Sequence, residues 1–138
     1  MSAVESVIVK CPITIKAKVT EDLKAKLAAE ISEKIKKTDL DLQQIDLQAK
    51  RMMSEQAKVD AHGLHGLWQQ IEAERQKRNE YKNMMVEKLR ETANLEIGSE
   101  IAQGSLDRLV TIMVGSDIQK IMSTEILVED GKVIAFRN

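Results

Sequence analysis

His62 and His65 are the only histidines of the chain, spaced His-x-x-His. Two imidazoles joined by a carboxylate such as Asp60 would be the start of a zinc or copper site. A closed site takes four ligands, however, and Gly63 and Gly66 flank these two. The pattern reads instead as polar residues at an exposed turn. Cys11 is the single cysteine, so an internal disulfide is impossible and a reducing compartment is compatible. A reactive thiolate needs a basic neighbour, and none is nominated, so Cys11 reads as a small buried hydrophobe.

Two further groups suggest contacts rather than catalysis. Lys50, Arg51, Arg75, Lys77, Arg78 and Lys82 fall midway along a helical region and are the candidate anion or RNA contact. Asp46, Glu55, Glu72, Glu74 and Glu80 are interspersed among them, and Tyr81 is the one nearby aromatic for stacking a base. A solvated face laced with intrahelical ion pairs is the competing reading. Met52-Met53 and Met84-Met85 form two doublets. One member of each lies on a helix seam, and Met53 and Met84 point off it as candidate self-association residues. There is no Gly-rich phosphate loop, no nucleophile with a paired base and no ligand cluster, so neither an enzyme nor a cofactor is expected.

Composition narrows the class. The chain has 138 residues, 31% charged and only 2% aromatic, which suits long solvated helices better than a thick core. The net charge of −1 lacks the basic excess of a non-specific nucleic-acid binder. The first residues, MSAVESVIVKCP, do not form a signal peptide, and no apolar run is long enough to span a bilayer. No membrane association and a cytoplasmic location are therefore expected.

The elements follow from periodicity. Between Val7 and Val19 the odd positions are apolar, as in a strand with one buried face, and Pro12 marks an edge or bend. Thr20 is placed to cap a helix whose first turn holds Glu21 and Asp22. From there to Asp60 there is neither Pro nor Gly, so the spacing predicts a helix of roughly 40 residues. Its apolar residues step by four from Leu23 to Ile35. They then follow a heptad through Thr38, Leu42, Ile45, Ala49, Met52, Gln56 and Val59. The glycines predict a reversal near 62–66. A second helix follows, about Leu67 to Asn94, with a seam of Leu67 or Trp68, Ile71, Arg75, Arg78, Lys82, Met85 and Leu89. A turn centred on Leu64 puts residue i opposite roughly 128 minus i, so the first helix overruns the second by roughly fourteen residues.

Beyond Asn94, turn-like stretches at Gly98 and Gly104 precede a strand at 106–114. Another strand is expected from Ile121 to Glu129, and a last one from Lys132 to Arg137, joined by the hairpin signal Asp130-Gly131. Ile126 is expected to face Ala135, and Leu127 to face Ile134. The expected architecture is α+β. A long antiparallel helical hairpin, a coiled-coil stalk of residues 20–94, is attached to a small antiparallel β domain made by residues 1–19 and 95–138. That β unit, roughly 60 residues, is marginal alone.

Three stretches carry a resemblance. They are Lys10-Cys11-Pro12-Ile13-Thr14-Ile15-Lys16, Leu95-Glu96-Ile97-Gly98-Ser99-Glu100-Ile101, and Thr124 to Ile134 through Glu129-Asp130-Gly131-Lys132. Val114-Gly115-Ser116-Asp117 looks like the same family's Val-Gly-Asp turn with one extra residue. Together with the order of parts, they resemble the YlqD-like family, small uncharacterised proteins of Bacillus-type bacteria and cyanobacteria. Pro12 looks more like the cyanobacterial branch. The resemblance implies an architecture and a bacterial cytosolic setting, and assigns no activity.

The function expected from these features is a non-enzymatic interaction or scaffold protein that self-associates, as a dimer, with a protein partner. The alternatives are an RNA- or ribosome-associated module, resting on the basic cluster, and a clamp-like chaperone by shape analogy with prefoldin.

Overall fold

The computed structural model describes residues 4–138. The elements are β1 (Ser6–Lys18), α1 (Glu21–Val59), a 3-10 turn (Ala61–Gly63), α2 (Leu64–Ala93), β2 (Glu100–Met113), α3 (Ile118–Met122), β3 (Glu125–Glu129) and β4 (Lys132–Arg137). The fold is α+β. One compact unit takes the chain up to Lys24 together with Leu95–Asn138, and the other is Ala25–Asn94.

In the first unit the strands lie in the order β2-β1-β3-β4. The β1–β2 pair is antiparallel from Ser6↔Met113 to Lys18↔Glu100, and β3–β4 is an antiparallel hairpin. The β1–β3 pair, over Thr14–Ala17, is parallel. The sheet is therefore mixed, where the sequence suggested an antiparallel one. The reason is the connection after β2, which crosses β1 and delivers β3 on its far side, parallel to it. That crossing also divides the strand expected from Ile121 to Glu129. Asp117 caps a helical turn by accepting from the Lys120 N–H at 3.2 Å, and extended structure begins only at Glu125.

Two bulges shift the expected pairings. Gln103-Gly104-Ser105 lies inside β2 instead of forming a turn. Ile15 pairs with Gly104 and Lys16 with Ala102, so Gln103 is the unpaired extra residue. In the hairpin Val128 does face Val133, but Leu127 opposes Ala135 and Ile126 opposes Phe136, leaving Ile134 as the extra residue. The turn itself is as its dipeptide suggests. Asp130 and Gly131 both have positive φ, 49° and 81°, as a type I′ turn needs. Pro12 lies in the part of β1 that pairs with β2 alone, so its missing N–H removes no bond to β3.

The core of this unit is Cys11, Ile13, Ala17, Val19, Ile126 and Leu127. Val19 is the most enclosed side chain, 1% exposed. Its backbone ties the chain ends together: its N–H donates to Ser99 O at 2.7 Å, and its carbonyl accepts from the Gly98 N–H at 2.9 Å. Thr20 then caps α1, accepting from the Leu23 N–H at 3.1 Å, while its hydroxyl donates to Asp130 at 2.6 Å. One threonine thus starts the helix and holds the β3–β4 turn.

In the second unit α1 and α2 run antiparallel. Asp60 makes the reversal: its side chain accepts from the His62 N–H at 3.0 Å, and its carbonyl accepts from the Gly63 N–H at 3.2 Å. A Cβ at Gly63 would stand 2.5 Å from the Gln56 amide nitrogen, so a side chain there would displace Gln56. The turn is therefore at 60–63 rather than 62–66, and α2 starts at Leu64. Two ion pairs set the register, Lys82–Asp39 and Arg75–Asp46, both 2.7 Å. Both place residue i opposite 121 minus i, one heptad from the register inferred for a turn at Leu64. A whole-heptad shift keeps the same faces in contact but changes every partner. Asn94 now falls opposite Leu27, not Lys34, and only the first turn of α1, to Lys24, groups with the β unit.

The buried seam residues are Thr38, Ala49, Met85 and Thr92. The two threonines satisfy themselves: each hydroxyl donates to the carbonyl four residues back, Lys34 at 2.9 Å and Lys88 at 2.8 Å. Leu67 is the half-buried residue at the seam's start, while Trp68 faces out and stacks on His65. Past Ala49 the seam steps to Met53, which is half-buried, and Met52 is 45% exposed. That reverses the roles read for this doublet, because here the step is four residues rather than three.

Candidate functional site

Residues directly opposite in a sheet point to the same side. One face of the β unit carries Cys11, Ile13 and Ala17, with Arg108, Leu106 and Ile101 from β2, Ile126 from β3 and Phe136 from β4. Leu106 and Phe136 on this face are exposed. The other face carries the charges. Lys10 pairs with Asp107 at 3.4 Å and Lys16 with Glu125 at 3.2 Å. Arg137 holds Glu100 at 2.6 Å and Glu125 at 2.8 Å. At the far end of the β1–β2 ribbon apolar side chains are exposed, on the face of Ile8, Leu109 and Met113 above all. Val7, Ile8, Leu109 and Met113 are exposed, Ile8 at 67% and Leu109 at 76%, and Val114 follows them.

The Arg137 cluster has a defined pH response. Hydrogen bonding from Arg137 holds the carboxyls of Glu100 and Glu125 below the usual carboxylate range, with Lys16 adding to the effect on Glu125. The same bonds push the Arg137 guanidinium further up. A carboxyl whose pKa is lowered by folding contributes stability above its unfolded value, roughly 4.3. That contribution disappears as pH falls through the lower folded value. Urea midpoints of the parent should therefore exceed those of Arg137→Gln at neutral pH and converge with them at pH values well below the usual glutamate range. A gap that persists in acid would show that Arg137 acts through packing alone.

The basic residues singled out from sequence do not form one patch. Arg75 is held by Asp46 and Glu72, Arg78 by Glu74, and Lys82 by Asp39. Lys50 and Arg51 are exposed, and in the observed register they lie opposite Ile71 and Gln70 rather than the arginines. A different basic surface is built instead. A groove of about 480 Å³ is lined by Lys34, Lys37, Lys77, Arg78 and Tyr81, with Thr38 and Asp41. Lys34 and Lys37 were missed because the register read from sequence put the end of α2, rather than Tyr81, beside them. Met84 is exposed on α2 as expected. His62 and His65 sit in the turn and the first turn of α2, and among the described residues no group of three or more His, Cys, Asp or Glu side chains could hold a metal.

Arg108 is the other residue that sequence reading passed over. Alternation makes Leu106, Val110 and Ile112 one face of β2, and Arg108 is the position within that series that is not apolar. Its Nη2 donates to Ile121 O at 3.1 Å and to Thr124 Oγ1 at 3.0 Å. Its Nε is buried with no hydrogen-bond partner. Cys11, opposite it, is buried with Sγ 3.9 Å from the same Ile121 carbonyl.

The family model described as YlqD protein matches residues 7–137. Among solved structures the chain is similar to the crystal structure of a protein of unknown function from Synechococcus sp. WH 8102. The two are 25% identical with a TM-score of 0.82, over 100% of this chain and 99% of that one. No curated protein matches.

Proposed function

The chain belongs to the YlqD family, and from that premise we propose a non-enzymatic interaction protein that self-associates through its β unit. The observation that carries this reading is the far end of the β1–β2 ribbon, where Ile8, Leu109 and Met113 lie side by side on one face and are exposed. Single exposed apolar residues are ordinary, but a contiguous group marks a contact surface. β2 is also an edge strand of 14 residues, whose outer backbone groups pair with no other strand of the sheet. Among the described residues, Glu100, Glu125, Arg90 and Arg137, whose titration departs from the ordinary, are shifted by pairing with opposite charges, the signature of ion pairs rather than of an acid and base set apart for catalysis. No helix among the described residues is long and apolar enough to cross a membrane, and a cytoplasmic setting suits the single free thiol. Sedimentation velocity at micromolar concentration should show a dimer for the parent. An Ile8→Lys/Leu109→Lys variant should dissociate at least about tenfold more readily. A parent that stays monomeric across that range would overturn the reading.

The groove of Lys34, Lys37, Lys77 and Arg78 beside Tyr81 favours a second reading, an RNA-binding surface on the helical hairpin. Cations would meet phosphates there, and Tyr81 would offer a stacking plane. Affinity for single-stranded RNA should fall, and its salt slope flatten, in Lys34→Glu/Lys37→Glu. An unchanged slope removes the reading.

A further inference from the structure

We propose that the groove around Arg108 is a receptor site for a short acidic–apolar peptide segment of another protein. The groove, about 520 Å³, has Ile13, Val110, Ile121 and Phe136 as its apolar lining, with Arg108, Lys120 and Thr124 beside them. This volume is ordinary for a binding site.

The charge state of the groove points to the ligand. Arg137, which also lines it, is neutralised by Glu100 and Glu125. Arg108 is not neutralised: its bonds go to a carbonyl and a hydroxyl, and its Nε has no acceptor. Lys120 makes no ion pair among the described residues, and its side chain is exposed. A half-buried guanidinium without a counter-charge is costly, and a carboxylate in the groove supplies the missing charge.

The rest of the lining argues for a peptide. The lining runs from Val110 on β2 to Phe136 on β4, the two edge strands of the sheet, a reach that suits an extended segment rather than a small ion. Thr124, Lys120 and Asn138 supply polar atoms alongside the apolar lining. A peptide backbone needs such partners, whereas an acyl chain does not. The matching segment is a glutamate or aspartate flanked by branched apolar residues.

The test uses the full-length protein labelled with 15N and the blocked peptide acetyl-Ile-Glu-Val-Val-amide. Binding should shift the Arg108 Nε–H resonance and the amides of Ile121 and Thr124. The peptide with Gln in place of Glu should bind about tenfold more weakly, the worth of one charge-assisted hydrogen bond. Arg108→Gln should abolish the difference between the two peptides. Lys120→Gln, a surface change that leaves the fold intact, should weaken the Glu peptide alone, so the proposal remains testable if Arg108→Gln does not fold. Equal affinity for the two peptides overturns the proposal. So does binding of decanoate in preference to the peptide, which would make the site one for acyl carboxylates. In the Ile8→Lys/Leu109→Lys background, where the ribbon-end contact is removed, an Arg108 resonance that still moves with protein concentration, without peptide, assigns the groove to a second copy of this chain and also overturns it.

Discussion

Val19→Asp should unfold the β unit, and Cys11 will report it. Val19 is 1% exposed, and it stands where the last residue pair of β1, the cap of α1 and the Gly98–Ser99 turn converge. A carboxylate there has no partner and no water, a change in the class that costs about 4 kcal/mol or more. That is comparable to the whole stability of a small domain, on the order of 5 kcal/mol. Val19→Ala is the graded control, removing two methyl groups at a cost of about 2 kcal/mol. The single thiol of Cys11 is buried in the same core, so its reaction with a disulfide reagent measures opening of this unit. The alanine variant should react roughly 30-fold faster than the parent, and the aspartate variant at the rate of unfolded chain. A Cys11 that stays protected in Val19→Asp would mean that Val19 is not the keystone of this core.

Met85→Ala should be the most damaging single truncation in the helical hairpin. Met85 is 4% exposed, in a seam whose other members are largely polar or short. Loss of its side chain leaves a gap that Ile35 and Thr38, beside it in this register, fill only in part, at a cost of about 3 kcal/mol. Helical circular dichroism and Trp68 fluorescence follow this unit. The register can be tested in the same experiment. Lys82→Glu should place like charges at Asp39 and lower stability by about 1 kcal/mol, the size expected for a pair left partly in solvent. Asp39→Lys should restore it, whereas Asp46→Lys should not. Rescue by Asp46→Lys would return the hairpin to the register centred on Leu64.

The places where sequence reading and structure part company share one cause. Periodicity reports which face of an element is apolar, and a shift by a whole period is invisible to it. The hairpin seam was legible as Leu67, Ile71, Arg75, Arg78, Lys82, Met85 and Leu89, yet its partners were displaced by one heptad. The displacement came from the turn: two glycines drew attention to 62–66, while Asp60 closes the turn through its own side chain and Gly66 is absorbed into α2. Bulges escape for a similar reason. Gln103 and Ile134 each interrupt a ladder by one residue, and nothing in their own identity announces it. Lys34, Lys37 and Arg108 became candidates only when distant segments were placed side by side.

The helical hairpin, the β unit built from both chain ends, the Thr20 cap and the Asp130-Gly131 turn were determined by the sequence alone. Each rests on residues near one another in the chain: a long run without Pro or Gly, strict alternation, a capping hydroxyl, a dipeptide able to take two positive φ angles. The tertiary structure decided the parallel pairing of β1 with β3, the heptad on which α1 and α2 meet, the bare ribbon end and the charge left uncompensated at Arg108. These depend on which segments lie beside which, and on where a connection crosses a strand. Local propensity carries no information about either.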